Sequence, residues 1–124
     1  MKEITEKLKI SYKQKRGTGI FRIVEFEDHG SHIIFIPSLN LSSYGDTPEE
    51  AMKMMGDVVL EDFFETLFSQ NESSVYEHLK NLGWKKSGIY PKELSYDVHV
   101  DNDGILKNFN LSTETKITEK LIEV

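Results

Sequence analysis

The segment Gly45-Asp46-Thr47-Pro48-Glu49-Glu50-Ala51 separates a strand-rich stretch from a helical one. Thr47 supplies an N-cap hydroxyl, Pro48 suits the first helical position, and Glu50 completes a capping box at the third. A helix is expected from Pro48 to about Phe68. At about 100° per residue, Met52, Met55, Val59, Leu60, Phe63 and Leu67 share one face. Gly56 lies on that face too. A mid-helix glycine costs about 0.5–1 kcal/mol relative to alanine, so close approach of the helix backbone to a sheet is expected there.

Upstream, the pattern is that of strands. Leu8, Ile10 and Tyr12 alternate with Lys9, Ser11 and Lys13, the period-two signature of a half-buried strand. Gly17-Thr18-Gly19 is expected to break it. Ile20 to Phe26 is a β-rich run, apolar on both sides. His29-Gly30 offers the positive φ that a tight hairpin demands. Ile33 to Ile36 is the returning strand, again apolar on both faces, and Pro37 ends it. Leu39 to Tyr44 is a third extended piece. Two doubly apolar strands need cover on both sheet faces, from the C-terminal segment or from a second copy.

Downstream of the long helix, Ser74-Val75-Tyr76-Glu77 reads as a second capping box, with Leu79 and Leu82 apolar and Gly83 as the C′ residue. Trp84 is expected to pack back on this short helix. Tyr96, Val98 and Val100 alternate with acidic and polar residues, Asn102-Asp103-Gly104 reads as a turn, and Ile105 to Leu111 as the returning strand. Ser112 to Val124 suits either a helix or a strand. The pentapeptide Ile-Thr-Glu-Lys-Leu occurs at Ile4 and again at Ile117; it marks either two similar strands or a coincidence, and coincidence is the simpler account. The expected architecture is one α+β domain over residues 1–124. An antiparallel three- to four-stranded meander packs on one long helix, followed by a second short helix and a C-terminal β-hairpin.

With 124 residues, 38% hydrophobic, the chain can bury a core. It has no cysteine, which excludes disulfides, thiolate metal sites and a cysteine nucleophile, and fits a reducing, cytoplasmic location. The first ten residues have no apolar core of a secretory signal, and no run approaches the roughly 20 apolar residues of a membrane span. The sequons at Asn40, Asn71 and Asn110 are therefore expected to be chance matches. Net charge is -6. A phosphate-backbone binder carries a basic stripe. Only Lys13, Lys15 and Arg16, with Lys7 and Lys9 upstream, come near one, and they read as a solvated strand end. An acidic surface favours basic partners.

The order strand, turn, strand, extended piece, then Gly-Asp-Thr-x-Glu-Glu-Ala resembles the HicB-type antitoxin domain. The residues that carry it are Phe35-Ile36-Pro37-Ser38-Leu39 and Gly45 to Ala51. That family's strand ends at a Pro-Asp-Leu-Pro-Gly segment. Here Ser38 stands for Asp, Asn40 and Leu41 stand for Pro-Gly, and the spacing to Gly45 is one residue short, the pattern of a divergent member. The family-like part covers roughly residues 20–68, with residues 73–124 as an extension. The resemblance implies a partial double-stranded-RNA-binding-like fold, homodimers or larger assemblies, and neutralisation of a small basic RNA-cleaving toxin, HicA. Many members add a DNA-binding helix-turn-helix or ribbon-helix-helix. No such unit is legible after Trp84, so DNA binding is not expected.

Asp57, Glu61 and Glu65 stand at i, i+4 and i+8, an acidic stripe on the long helix. Like charges at this spacing mildly destabilise a helix. The stripe reads first as a solvated face and second as a surface that steers a basic partner. Leu60, Phe64 and Phe68 form a second apolar ridge. Its cover is expected from the short helix and Trp84, and next from a partner. The candidate partner-binding residues are therefore Asp57, Glu61, Glu65, Phe64 and Phe68. Gly30-Ser31-His32 matches a tripeptide of the HicA toxins, whose His is catalytic. Without positioned partners His32 reads as a lone hairpin histidine, and a ribonuclease is the weaker alternative. An orphan self-assembling domain is the other. Asp28, His29 and His32 are close in sequence but alternate in direction on a strand, and His99 to Asn110 lacks the first and last EF-hand ligands. No metal or cofactor is expected, and no phosphate loop or nucleophile elbow is present.

Overall fold

β1 (Glu6–Ser11) and β2 (Arg16–Asp28) form the first hairpin in a computed structural model, which describes residues 6–88, 93–96, 101–112 and 114–124. The turn falls at residues 12–15, with Lys15 at φ 52. Gly17-Thr18-Gly19 does not break the strand, contrary to the sequence expectation. These residues pair with β1, Gly19 opposite Leu8 and Gly17 opposite Ile10. A Cβ on Gly19 would strike the Lys7 carbonyl, and one on Gly17 would lie 2.6 Å from the Phe64 ring. The glycines admit close neighbours rather than ending the strand.

β3 (Ser31–Ile36) returns from β2 through His29 and Gly30, both left-handed at φ 50 and 84, as a type I′ turn requires. β4 (Leu41–Gly45) follows a turn in which Asn40 is left-handed. The long helix then starts at Thr47, whose Oγ1 accepts from the Glu50 N–H at 3.1 Å. It runs as α1 (Pro48–Met54), a π-helical turn (Met55–Val59) and α2 (Leu60–Phe68). The buried residues step from Ala51 to Met55, then five residues to Leu60, then to Leu67 and Phe68. The five-residue step is the i→i+5 bond of the π turn, Leu60 N–H to the Met55 carbonyl. It brings Leu60 back onto the sheet-facing side, which five residues of α-helix would not. Met52, Val59 and Phe63, which share the predicted apolar face, are half-buried. Gly56 also departs from expectation: it is exposed, and a Cβ there would touch nothing. No close approach requires it.

α3 (Glu72–Leu82) is capped three residues before the expected N-cap, Ser74. Asn71 is its N-cap and accepts from the Ser74 N–H at 2.9 Å. Gly83 ends it at φ 111. β5 (Trp84–Lys86) and β6 (Glu93–Tyr96) pair with each other, and β6 pairs with β1. Trp84 shares a core with Val75 and Leu79 of α3 and stands edge-on to Phe21 at 6.0 Å.

The C-terminal β-hairpin does not form. Residues 102–108 are instead a helix, α4 (Asn102–Asn108), because Asp101 accepts from the Gly104 N–H at 2.8 Å and caps it. The expected strand residues at 97–100 lie outside the described residues. β7 (Thr118–Glu123) settles the ambiguous tail as a strand. The sheet is antiparallel throughout, in the order β4-β3-β2-β1-β6-β5, with β7 on β2. β2 is the hub: it pairs with β1 at residues 16–20, with β7 at 20–25 and with β3 at 24–28.

Two cores result. Phe21, Ile23, Ile34 and Ile36 pack under the long helix and α3. On the other face Val24, Phe26 and Phe35 meet Ile105 of α4, with Phe109, Leu111 and Ile117 around them. Alternation along the strands sends adjacent residues Ile23 and Val24 to opposite cores. Cover for the second face thus comes from the chain's own C-terminal segment, the first of the two sources anticipated.

Candidate partner-binding surface

The acidic stripe is displayed as expected in one respect. Asp57, Glu61 and Glu65 are all exposed, and among the described residues none has an ion pair. The aromatic residues placed beside them fare differently. Phe64 is half-buried against Gly17 and stacks on Phe68 at 6.2 Å. Phe68 is 2% exposed and contacts Tyr12, whose hydroxyl donates to the Gln70 carbonyl at 2.7 Å. Phe68 is therefore a core residue and not a surface contact. Tyr12 of the first hairpin packs on it, and it shares the core with Val75 and Leu79 of the short helix and with Trp84, the cover expected from the sequence.

The apolar surface lies elsewhere. Tyr44 is 72% exposed, Met54 41% and Val58 45%. With Gly45, Asp46, Glu50, Lys53 and Asp57 they line a groove of about 430 Å³ between β4 and the start of the long helix. Tyr44 points away from buried Ser43 by strand alternation, and Met54 and Val58 are one turn apart off the buried side. Sequence reasoning passed over all three. The available signal was an aromatic residue on the last strand before a capping box, followed by an i, i+4 apolar pair outside the core stripe. Asp57 links this groove to the stripe. Glu50 has a second task, accepting from the Asp46 N–H at 3.0 Å and holding the turn into the helix.

The polar residues elsewhere are used structurally. Glu6 is buried, and its Oε1 accepts from the Arg22 N–H at 2.7 Å and the Ser38 hydroxyl at 2.9 Å. Trp84 Nε1 donates to the Ser38 carbonyl at 2.9 Å. Burial pushes the Glu6 carboxyl above its ordinary range, against the two hydrogen bonds and the Arg22 charge, which favour the ionised form. Tyr96 is raised by burial and by the charge of Glu6. No buried side-chain nitrogen or oxygen among the described residues lacks a partner.

His32 stands on β3, half-buried, opposite Glu27 and Gly45 in the ladders, its side chain without a hydrogen bond or ion pair among the described residues. His29 pairs with Asp28 at 3.1 Å in the turn. Among the described residues no three histidines or carboxylates are grouped to hold a metal. Asp101, part of the EF-hand echo, is the cap of α4, and His99 lies outside the described residues. Lys7, Lys9, Lys13, Lys15 and Arg16 are exposed on β1 and the first hairpin, with Lys7 at 3.6 Å from Glu93. No helix among the described residues is long and apolar enough to cross a membrane. Family models, curated proteins and solved structures give no match to this chain.

Proposed function

We propose that this protein is a HicB-like interaction module that acts by binding a small basic protein, a HicA-like toxin being the kind the sequence resemblance implies, and that it catalyses no reaction. The observation that carries the reading is the row of exposed carboxylates Asp57, Glu61 and Glu65, free of ion pairs among the described residues and continuous through Asp57 with an exposed apolar groove. Unpaired charges of one sign steer a complementary partner and set the rate of encounter. Apolar area beside them supplies what charge alone does not. The α+β architecture, strands first and then a capped helix at Thr47, agrees with the order that suggested the resemblance.

The test is affinity capture from the native cell with the wild type and with the double variant Glu61→Lys, Glu65→Lys. Both positions are solvent-exposed, so the variant should keep its fold. The expected result is one small basic protein, held by the wild type, lost with the variant, and weakened by added salt. Identical capture by both proteins would remove the helix face from the proposal. Homodimers are part of the same proposal through the family likeness; sealing the second sheet face does not require them.

A further inference from the structure

We propose that β4 accepts an added strand: a basic, extended segment of the partner pairs with its outer edge and lays apolar side chains on Tyr44, Met54 and Val58. This rests on the partner-binding reading above and specifies how that partner is held.

β4 ends the strand order, and among the described residues it pairs with β3 alone. Its register runs without a bulge from Leu41 opposite Ile36 to Gly45 opposite His32. Protein sheets blunt such edges with lysine, proline, bulges or very short strands. The opposite edge does so: β5 is three residues long and two of them are Lys85 and Lys86. Leu41-Ser42-Ser43-Tyr44-Gly45 has none of these devices. A regular, unguarded edge is what strand addition uses, with backbone hydrogen bonds giving affinity and alternate side chains giving choice.

Five large apolar side chains are exposed among the described residues, and three of them line the groove beside β4. Asp46, Glu50 and Asp57 line that groove against Lys53 alone. This selects a basic occupant. It also opposes a second copy of the chain, since two β4 edges meeting about a two-fold axis would bring the same carboxylates together.

The experiment titrates the full isotopically labelled chain with three short peptides. One alternates lysine and valine, the second is that peptide N-methylated at two adjacent central residues so that neither edge can pair, and the third alternates glutamate and valine. The expected result is amide shifts in β4 and Met54 to Val58 with the first peptide, and affinity weaker by about tenfold or more for the other two. Tyr44→Lys and Val58→Lys, both at exposed positions, should each weaken the first peptide by about tenfold while leaving the dispersed spectrum intact. Equal binding of the N-methylated and parent peptides, or shifts confined to Glu61 and Glu65, would overturn strand addition and leave the charged helix face standing. Absence of binding by both basic peptides would overturn it too. So would a concentration-dependent dimer abolished by Tyr44→Lys, which would give the edge to a second copy.

Discussion

At the scale of single residues, the chain places each awkward chemical group where one neighbour makes it tolerable. Glu6 is the sharpest case, an acid in the core whose oxygen accepts from a backbone N–H and a hydroxyl. Its folded proton affinity is raised, so the proton-linked stabilisation is complete below its ordinary value of 4.5 and is lost as pH rises through the higher folded value. Urea denaturation across that range should show the wild type losing stability relative to Glu6→Gln as pH rises, then running parallel to it. A flat difference would mean that Glu6 is not desolvated. The glycines give the second prediction. Gly19→Ala forces a Cβ against the Lys7 carbonyl and should cost about 1–3 kcal/mol. Gly56→Ala meets open space and should stabilise by about 0.5–1 kcal/mol. Midpoint shifts of opposite sign in the same assay are the check. Local chemistry of this kind was partly legible in the sequence. Gly30 and Gly83 announced left-handed positions, but His29 at φ 50 did not, and Asn40 and Asn110, left-handed at φ 53 and 55, looked like glycosylation sequons. Asn71 looked the same and is a helix cap.

At the scale of elements, what could be read from the chain was whatever short-range bonding decides. The Thr47 cap, the second hairpin and the end of β3 before Pro37 all depend on residues within four positions of one another. The π turn did not show, because its cause is distant: Leu60 has to reach the sheet, and nothing near Met55 records that. The C-terminal helix was misread for a related reason. Asp101-Asn102-Asp103-Gly104 carries turn and N-cap chemistry together, and the choice falls to Ile105 and Phe109, which find the second face of a sheet built eighty residues earlier by rough count. Two variants test this. Asp101→Ala removes the cap and should cost about 0.5–2 kcal/mol. Phe109 packs on Phe26 and Phe35 with ring centres at 5.0 and 4.9 Å, and Phe109→Ala should cost about 2–3 kcal/mol. Both should loosen amide protection in β7 more than in the long helix. The repeated pentapeptide also turns out to have structural meaning at this scale. Glu6 to Leu8 and Glu119 to Leu121 both lie in strands antiparallel to β2, and both glutamates engage Arg22, one at its backbone and one at its guanidinium. They face opposite ways, Leu8 buried and Leu121 exposed.

At the scale of the whole molecule, the sheet is a partition between two unequal cores. The larger is closed by the long helix and α3, the smaller by the segment from α4 to β7. Doubly apolar strands made the need for a second cover readable, whereas its source could not be chosen from the sequence. Shortening the chain to residues 1–96 should strip Val24, Phe26 and Phe35 of their cover. The expected outcome is binding of a hydrophobic dye and elution as oligomers, with the full chain doing neither to the same degree; equal dye binding by both would show that the smaller core contributes little. The two surfaces proposed for binding lie beside β4 and on the long helix; Lys120 of the tail bonds Glu25 at 2.7 Å, and that pair lines a neighbouring hollow that shares Lys53 and Asp57 with the groove. The Val124 N–H and carbonyl both bond to Gly19, at 2.9 and 3.2 Å, so a fluorophore or purification handle attached there emerges at the foot of the first hairpin. That spot is two strands removed from β4, which makes it a reporting position that leaves the docking edge unobstructed.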